Sequence, residues 1–252
     1  MIDLTGHLLN YNLSFGYSNK TGISTLNYIE DNTYICSTTK RTSTMTIIEA
    51  LERYTPLSEA CKTALLERTE VQTIAANTVL LCPGQTSDRI YFIESGVARV
   101  YYYADADVDA DADKSITSWF AQAGGLLSSI ESFFGQGLAD EYIETLGKCL
   151  CRVLTYKALE QLYVEFPELN IVFRKQNEFY LRVYERRNKL MRTQNLIERY
   201  EYFMELYPNL PNYVKCKYIA SYLGMRPETL SRTKRAIYEL EHTGKKLSKT
   251  GK

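Results

Sequence analysis

Histidine is nearly missing from this chain. The two present, His7 and His242, stand apart from any motif, so general acid–base chemistry would have to rest on carboxylates. The central region offers no imidazole to ligate haem. The six cysteines, at 36, 61, 82, 149, 151 and 216, include no C-x-x-C pair, and an iron–sulfur cluster needs four grouped thiols. Cys149 and Cys151 are the exception in being close. Two apart on a strand they share a face, where disulfide geometry is seldom met, so buried reduced thiols are expected. No stretch approaches 18 uninterrupted apolar residues, which excludes an ordinary membrane-spanning helix. The opening "MIDLTGHLLNYNLSFGYSNK" lacks the basic start and apolar run of a secretory signal. A Ser–His–acid set, a metal-ligand cluster and a Gly-rich phosphate loop are missing too. The expectation is a cytoplasmic protein that is not an enzyme and carries no metal or cofactor.

What the chain does have is segregated charge. It is neutral overall, with 30 Lys and Arg against 30 Asp and Glu. From Arg174 onward there are 18 basic residues against 8 acidic ones, and before it 12 against 22. Halves of net +10 and −10 point to a basic module that meets a polyanion and an acidic module with another task. Two unrelated solvated surfaces are the plainer alternative.

Residues 1–44, rich in Ser, Thr and Asn, carry no sustained period and are expected to form a flexible extension. Met45 opens a helical pattern, and translation from Met1 or from Met45 fits the sequence equally. From about 70 to 156 the pattern is short β-branched or aromatic runs separated by turns, including "VQTIAANTVLL", "RIYFIESGVARVYYY", "SITSWFA" and "CLCRVLTY". Many short strands in succession indicate an antiparallel roll or sandwich. The alternating "ADADVDADAD" at 104–113 fails the calcium-loop pattern, because the sixth and twelfth positions from Asp105 are Ala110 and Ile116. It reads as a solvated acidic turn.

After Pro167 the period becomes helical. Leu169, Val172, Phe173, Phe179, Tyr180, Val183, Tyr184, Leu190 and Met191 form a broad apolar stripe opposite Arg and Lys. Either the helix packs on the roll or the stripe is a dimer seam. Farther on, "CKYIASYLGMRPETLSRTKRAIYEL" holds two helical segments joined at Gly224. Pro227 suits the first turn of the second segment. Leu230, Ile237 and Leu240 face inward, leaving Glu228, Thr229, Ser231, Arg232 and Arg235 outside. That is the helix-turn-helix pattern, whose second helix presents its first turns to the major groove. Arg donates to guanine and Glu accepts from cytosine, and positions 228 and 232 share a face.

A roll, a long helix and a helix-turn-helix, in that order, resemble the CRP/FNR family of transcription regulators over about residues 45–240. "RPETLSRTKR" is the most specific motif, and "RIYFIESGVARVYYY" resembles the family's central roll hairpin. The resemblance implies an α+β fold: an N-terminal cyclic-nucleotide-binding-like antiparallel β-roll (45–166), a central dimerisation helix (167–192) and a DNA-binding helix-turn-helix (193–252). It implies base-reading roles for Glu228 and Arg232, with Thr229 and Ser231 as supporting contacts and Arg226 and Arg235 alongside. The tail "HTGKKLSKTGK" has no alternating apolar strand, so the family's wing is expected to be reduced or absent. Double-stranded DNA, a second copy of the chain, RNA polymerase and an unidentified small-molecule effector are the implied partners.

In nucleotide-binding members a Gly-Glu pair holds the ribose and a later Arg-Ser pair the cyclic phosphate. Here Ser128 and Ser129 fall at the first pair, and Ala139 and Asp140 at the second, beside Glu141. No Arg lies between Arg99 and Arg152. A phosphate needs charge-assisted donors and is repelled by carboxylates. The pocket of Ser128, Ser129 and Asp140 is therefore expected to be degenerate, and control by cyclic nucleotide is not expected. A ligand-binding or protein-interaction module with a non-functional helix-turn-helix is the alternative.

Overall fold

The computed structural model describes residues 44–104 and 114–243. The expected N-terminal extension, the acidic run from Asp105 and the Lys-rich tail that bears on the wing lie outside the described residues. Two helices, α1 (Ile47–Glu52) and α2 (Glu59–Glu67), precede the first strands. Thr46 and Glu49 form a reciprocal capping box on α1, and Ser58 caps α2 by accepting from the Cys61 amide. The strands are β1 (Glu70–Ile74), β2 (Val79–Leu81), β3 (Arg89–Ser95), β4 (Val97–Tyr102), β5 (Ile116–Gln122), β6 (Leu126–Leu127), β7 (Tyr142–Thr145) and β8 (Cys149–Thr155), with α3 (Ile130–Gly135) between β6 and β7. Then come α4 (Tyr156–Glu165), α5 (Pro167–Met191), α6 (Leu196–Leu206), α7 (Cys216–Tyr222) and α8 (Pro227–Thr243).

The strands form two antiparallel four-stranded sheets, ordered β1-β8-β3-β6 and β2-β7-β4-β5. The inner faces meet in a core that includes Ile93, Val100, Ile143 and both Cys149 and Cys151, which are free thiols. β3 is buried along almost its whole length, without alternation. Tyr91 and Ile93 face the opposite sheet, while Ile90 and Phe92 pack under α1, α2, α4 and α5. A strand covered on both faces reads as a continuous apolar run.

One expectation is corrected here. "RIYFIESGVARVYYY" is not a hairpin, because β3 and β4 lie in different sheets. The chain changes sheet at Gly96, which has φ +100 and where a Cβ would run into the Lys148 carbonyl and the Cys149 sulfur. The true hairpin partner of β4 is β5, paired from Val97↔Gln122 to Tyr102↔Ile116. The helical period also begins earlier than Pro167. Tyr156–Glu165 form α4, capped by Thr155 through the Ala158 amide, and Pro167 opens a second helix rather than the first.

α5 spans 25 residues, about 37 Å at 1.5 Å per residue. Its N-terminal half places Leu169, Val172 and Phe173 in the core beneath the roll. Its C-terminal half places Phe179, Val183 and Leu190 in a second core with α6, α7, α8 and Phe120 of β5. The predicted stripe is thus largely used within the chain. Ile171, Leu181 and Tyr184 remain exposed, the last two bordering a cavity between α5 and the roll.

Candidate nucleic-acid interface and roll cavity

The helical pair is built around small and left-handed positions. Ile219, Ala220 and Leu223 of the first segment and Leu230 of the second are buried. Gly224 turns the chain at φ +63, with the Met191 methyl lying where its Cβ would be, and the Met225 amide donates to the Ala220 carbonyl at 3.0 Å. Thr233, which stands where an aliphatic residue packs in many such pairs, is buried and donates its hydroxyl to the Thr229 carbonyl at 2.9 Å. That internal bond removes the cost of burying an unpaired hydroxyl.

α8 carries the predicted reading residues on its outer side. Glu228, Ser231, Arg232 and Arg235 are exposed, Thr229 is half-buried, and Arg226 is exposed just before the helix. Positions 228, 231, 232 and 235 recur at i, i+3, i+4 and i+7, so they line one face. Arg235 is committed to Glu239 at 2.8 Å. Elsewhere the same i,i+4 spacing makes ion pairs at Arg174–Glu178 and Glu185–Lys189. At 228 and 232 it makes none among the described residues. An acid and a guanidinium one turn apart therefore face outward together, able to accept from a cytosine amino group and donate to guanine O6 and N7. Ile237 and Leu240, expected to face inward, are only half-buried.

A set of contacts that the motifs did not signal fixes this pair to the roll. The Ser221 hydroxyl accepts from the Thr117 amide at 3.0 Å, and the Tyr207 hydroxyl donates to the Phe120 carbonyl at 3.2 Å. Arg187 of α5 donates to the carbonyls of Ser118 and Tyr222, both at 3.0 Å. Arg199 donates to the carbonyls of Leu190 and Met191 in the last turn of α5, of Thr193 just beyond it, and of Leu223 just past α7, where cations suit helix C-termini. Arg99, with 2% of its side chain exposed, pairs with Glu144 at 2.6 Å and lies between the rings of Tyr101 and Tyr218, at 4.0 and 3.6 Å. Tyr218 belongs to α7, so one buried guanidinium joins β4, β7 and the helix-turn-helix.

Between the roll and α5 lies an open cavity of about 1090 Å³. Ser128 and Asp140 line it. Ser129 is buried behind that wall and hydrogen bonds to Glu141. The remaining wall is mostly aromatic and aliphatic, with Trp119, Leu126, Tyr163, Tyr180 and Tyr184 prominent, and it carries the carboxylates of Glu131, Asp140, Glu141 and Glu178. Burial holds the Glu141 carboxyl above its ordinary range, and the neighbouring Asp140 and Glu131 add to that. Arg174 of α5 is the cation in the lining. The roll itself sends no guanidinium here, because Arg99 is held in its own cluster and Arg152 pairs with Glu94 at 2.8 Å. Sequence alone shows that no arginine lies between Arg99 and Arg152. It does not show the aromatic wall, whose residues come from five separate elements.

No family model and no curated protein matches the sequence. The structure does have relatives. The c-di-GMP-responsive global regulator CLP of Xanthomonas campestris superposes with a TM-score of 0.56 at 14% identity, over 72% of this chain and 92% of that one. CooA from Carboxydothermus hydrogenoformans, as an N127L/S128L mutant, gives 0.56 at 16% identity over 79% and 87%. This chain has the CRP/FNR fold. FixK2 of Bradyrhizobium japonicum gives 0.55 at 17% identity over 73% and 89%. These structural neighbours are transcription regulators. Within the CRP/FNR fold the two sheets form the roll, α5 the long helix and α7–α8 the C-terminal pair. No helix among the described residues is long and apolar enough to cross a membrane.

Proposed function

We propose that this protein is a sequence-specific, DNA-binding transcription regulator that acts as a homodimer and is not controlled by cyclic nucleotide. The observation that carries the reading is the outward face of α8, where Glu228 and Arg232 lie free and level on a helix that follows a Gly-bearing turn. The CRP/FNR fold and the excess of basic residues after Arg174 support it. Glu228 and Arg232 read base edges, Arg226, Thr229, Ser231 and Arg235 hold the backbone or brace the readers, and α5 pairs with its copy through Ile171, Leu181 and Tyr184. We divide the chain accordingly into a roll at 45–166, a dimer helix at 167–192 and a reading head at 193–252. Two reading heads set one helical repeat apart match a pseudo-palindrome with half-sites about 34 Å apart. The protein works in the cytoplasm, where RNA polymerase is its further partner, and it performs no catalysis.

Selection of bound sequences from a random duplex pool tests this directly. An enriched, two-fold symmetric site that Glu228→Ala and Arg232→Ala each fail to enrich is the expected result. Enrichment of no site by a protein that is folded and dimeric would overturn the proposal.

A further inference from the structure

Three carboxylates in the cavity wall have no cation of their own. Glu178 is paired with Arg174, whereas Glu131, Asp140 and Glu141 enter no ion pair among the described residues. At the same wall, Ser128 is 6% exposed and its Oγ has no hydrogen-bond partner. A buried hydroxyl left unpaired is costly, and an absent ligand atom is one way to satisfy it. Trp119 makes the third feature. It stacks on Tyr184 at 5.1 Å and meets Tyr180 edge-on at 5.5 Å, giving an aromatic corner that opens into the cavity.

Electron-rich ring faces and unpaired carboxylates attract positive charge, and both repel phosphate. The surrounding apolar wall adds affinity for a ligand with a hydrophobic body. We propose that the cavity between the roll and α5 binds an organic cation, an ammonium carried on an aromatic or branched apolar body, with one polar atom reaching Ser128. This rests on the reading of the cavity as the effector site and does not depend on α8 reading DNA. Glu141 sits at the centre of the charged part, facing Asp140, Glu131 of α3, the hydroxyls of Ser129 and Ser118, and Tyr184 of α5. A cation beside it stabilises the ionised carboxylate, so binding strengthens as pH rises and weakens as Glu141 protonates.

Trp119 is the only tryptophan in the chain, which makes its emission a local reporter. Full-length protein without DNA is titrated with benzyltrimethylammonium, its uncharged isostere neopentylbenzene, and cyclic AMP. A saturable change for the cation, at least about tenfold tighter than for the isostere, is expected. The cation is expected to lose affinity as pH falls toward 4.5, the ordinary carboxylate value, while the isostere does not. Glu141→Gln should narrow the tenfold gap and leave the isostere unchanged, and if that variant does not fold, the pH arm on the native protein decides. Equal affinity for cation and isostere would overturn the ligand class and leave an apolar effector site standing. Tighter binding of cyclic AMP would overturn the class. No saturable change with any probe would overturn both the class and the site.

Discussion

Arg99 and Glu141 show how single ionisable residues in this roll are governed by what surrounds them. Arg99 is buried with Glu144, Ser115 and Thr117 as hydrogen-bond partners and a tyrosine ring on either side. Arg99→Met leaves Glu144 without its cation, and removing one partner of a buried pair costs about 3 kcal/mol or more. Denaturant unfolding should register that loss, and Arg99→Met with Glu144→Leu should recover most of it. Little or no recovery would mean that the rings, not the ion pair, hold the site. Glu141 runs the other way. Its carboxyl is raised by burial, so the folded state binds a proton more readily than the unfolded one. Stability from this group is present at low pH and lost as pH rises through the raised value. Glu141→Gln is therefore expected to stabilise the protein at neutral pH and to make no difference well below 4.5, the ordinary value. Thermal melts at both ends of that range check the sign. Neither role was legible in the sequence, because Arg99 and Glu144 lie 45 residues apart and no local pattern announces a pairing set by sheet register.

At the scale of elements, local chemistry was the better guide. The long helix after Pro167, the strand-rich middle and the Gly224 turn all follow from periodicity, from proline at a first turn and from a residue that tolerates positive φ. What escaped was topology. "RIYFIESGVARVYYY" looks like two strands about a turn, and it is, yet Gly96 sends them to different sheets. Period and turn residues specify strands, and only packing decides their partners. α4 escaped because Tyr156, Leu159, Leu162 and Tyr163 directly follow the apolar β8, so two periods run together. Gly224→Ala places a Cβ at φ +63 against Met191 and should cost about 1 kcal/mol or more. Thermal unfolding measures it, and an unchanged midpoint would mean that the turn is not as constrained as its contacts indicate. Tyr218→Ala, which removes the ring over Arg99, is expected to leave α8 helical but to speed proteolytic cleavage between α5 and α6. Cleavage at the native rate would show that Ser221, Tyr207 and Arg187 suffice to hold the head.

For the whole molecule, the α5 stripe illustrates how a pattern can be right while leaving its use open. Most of it fills two intrachain cores, and the face left for a second copy is a sparser one at Ile171, Leu181 and Tyr184. Leu181, 70% exposed, is the position where a charge should separate the copies. Leu181→Glu is expected to shift sedimentation from dimer to monomer and, because both half-sites must then be bound independently, to weaken binding to a full palindrome far more than to a half-site. An unchanged sedimentation coefficient would place the dimer contact elsewhere. The central claim is that α8 reads bases, and the measurement that tests it most directly pairs Arg232→Ala with single base-pair changes across a selected site. The account predicts that the variant loses discrimination at one position per half-site, by about 1–3 kcal/mol, while its salt dependence stays close to that of the native protein. A loss spread evenly over all sequences, with a shallower salt slope, would make Arg232 a phosphate contact and contradict it.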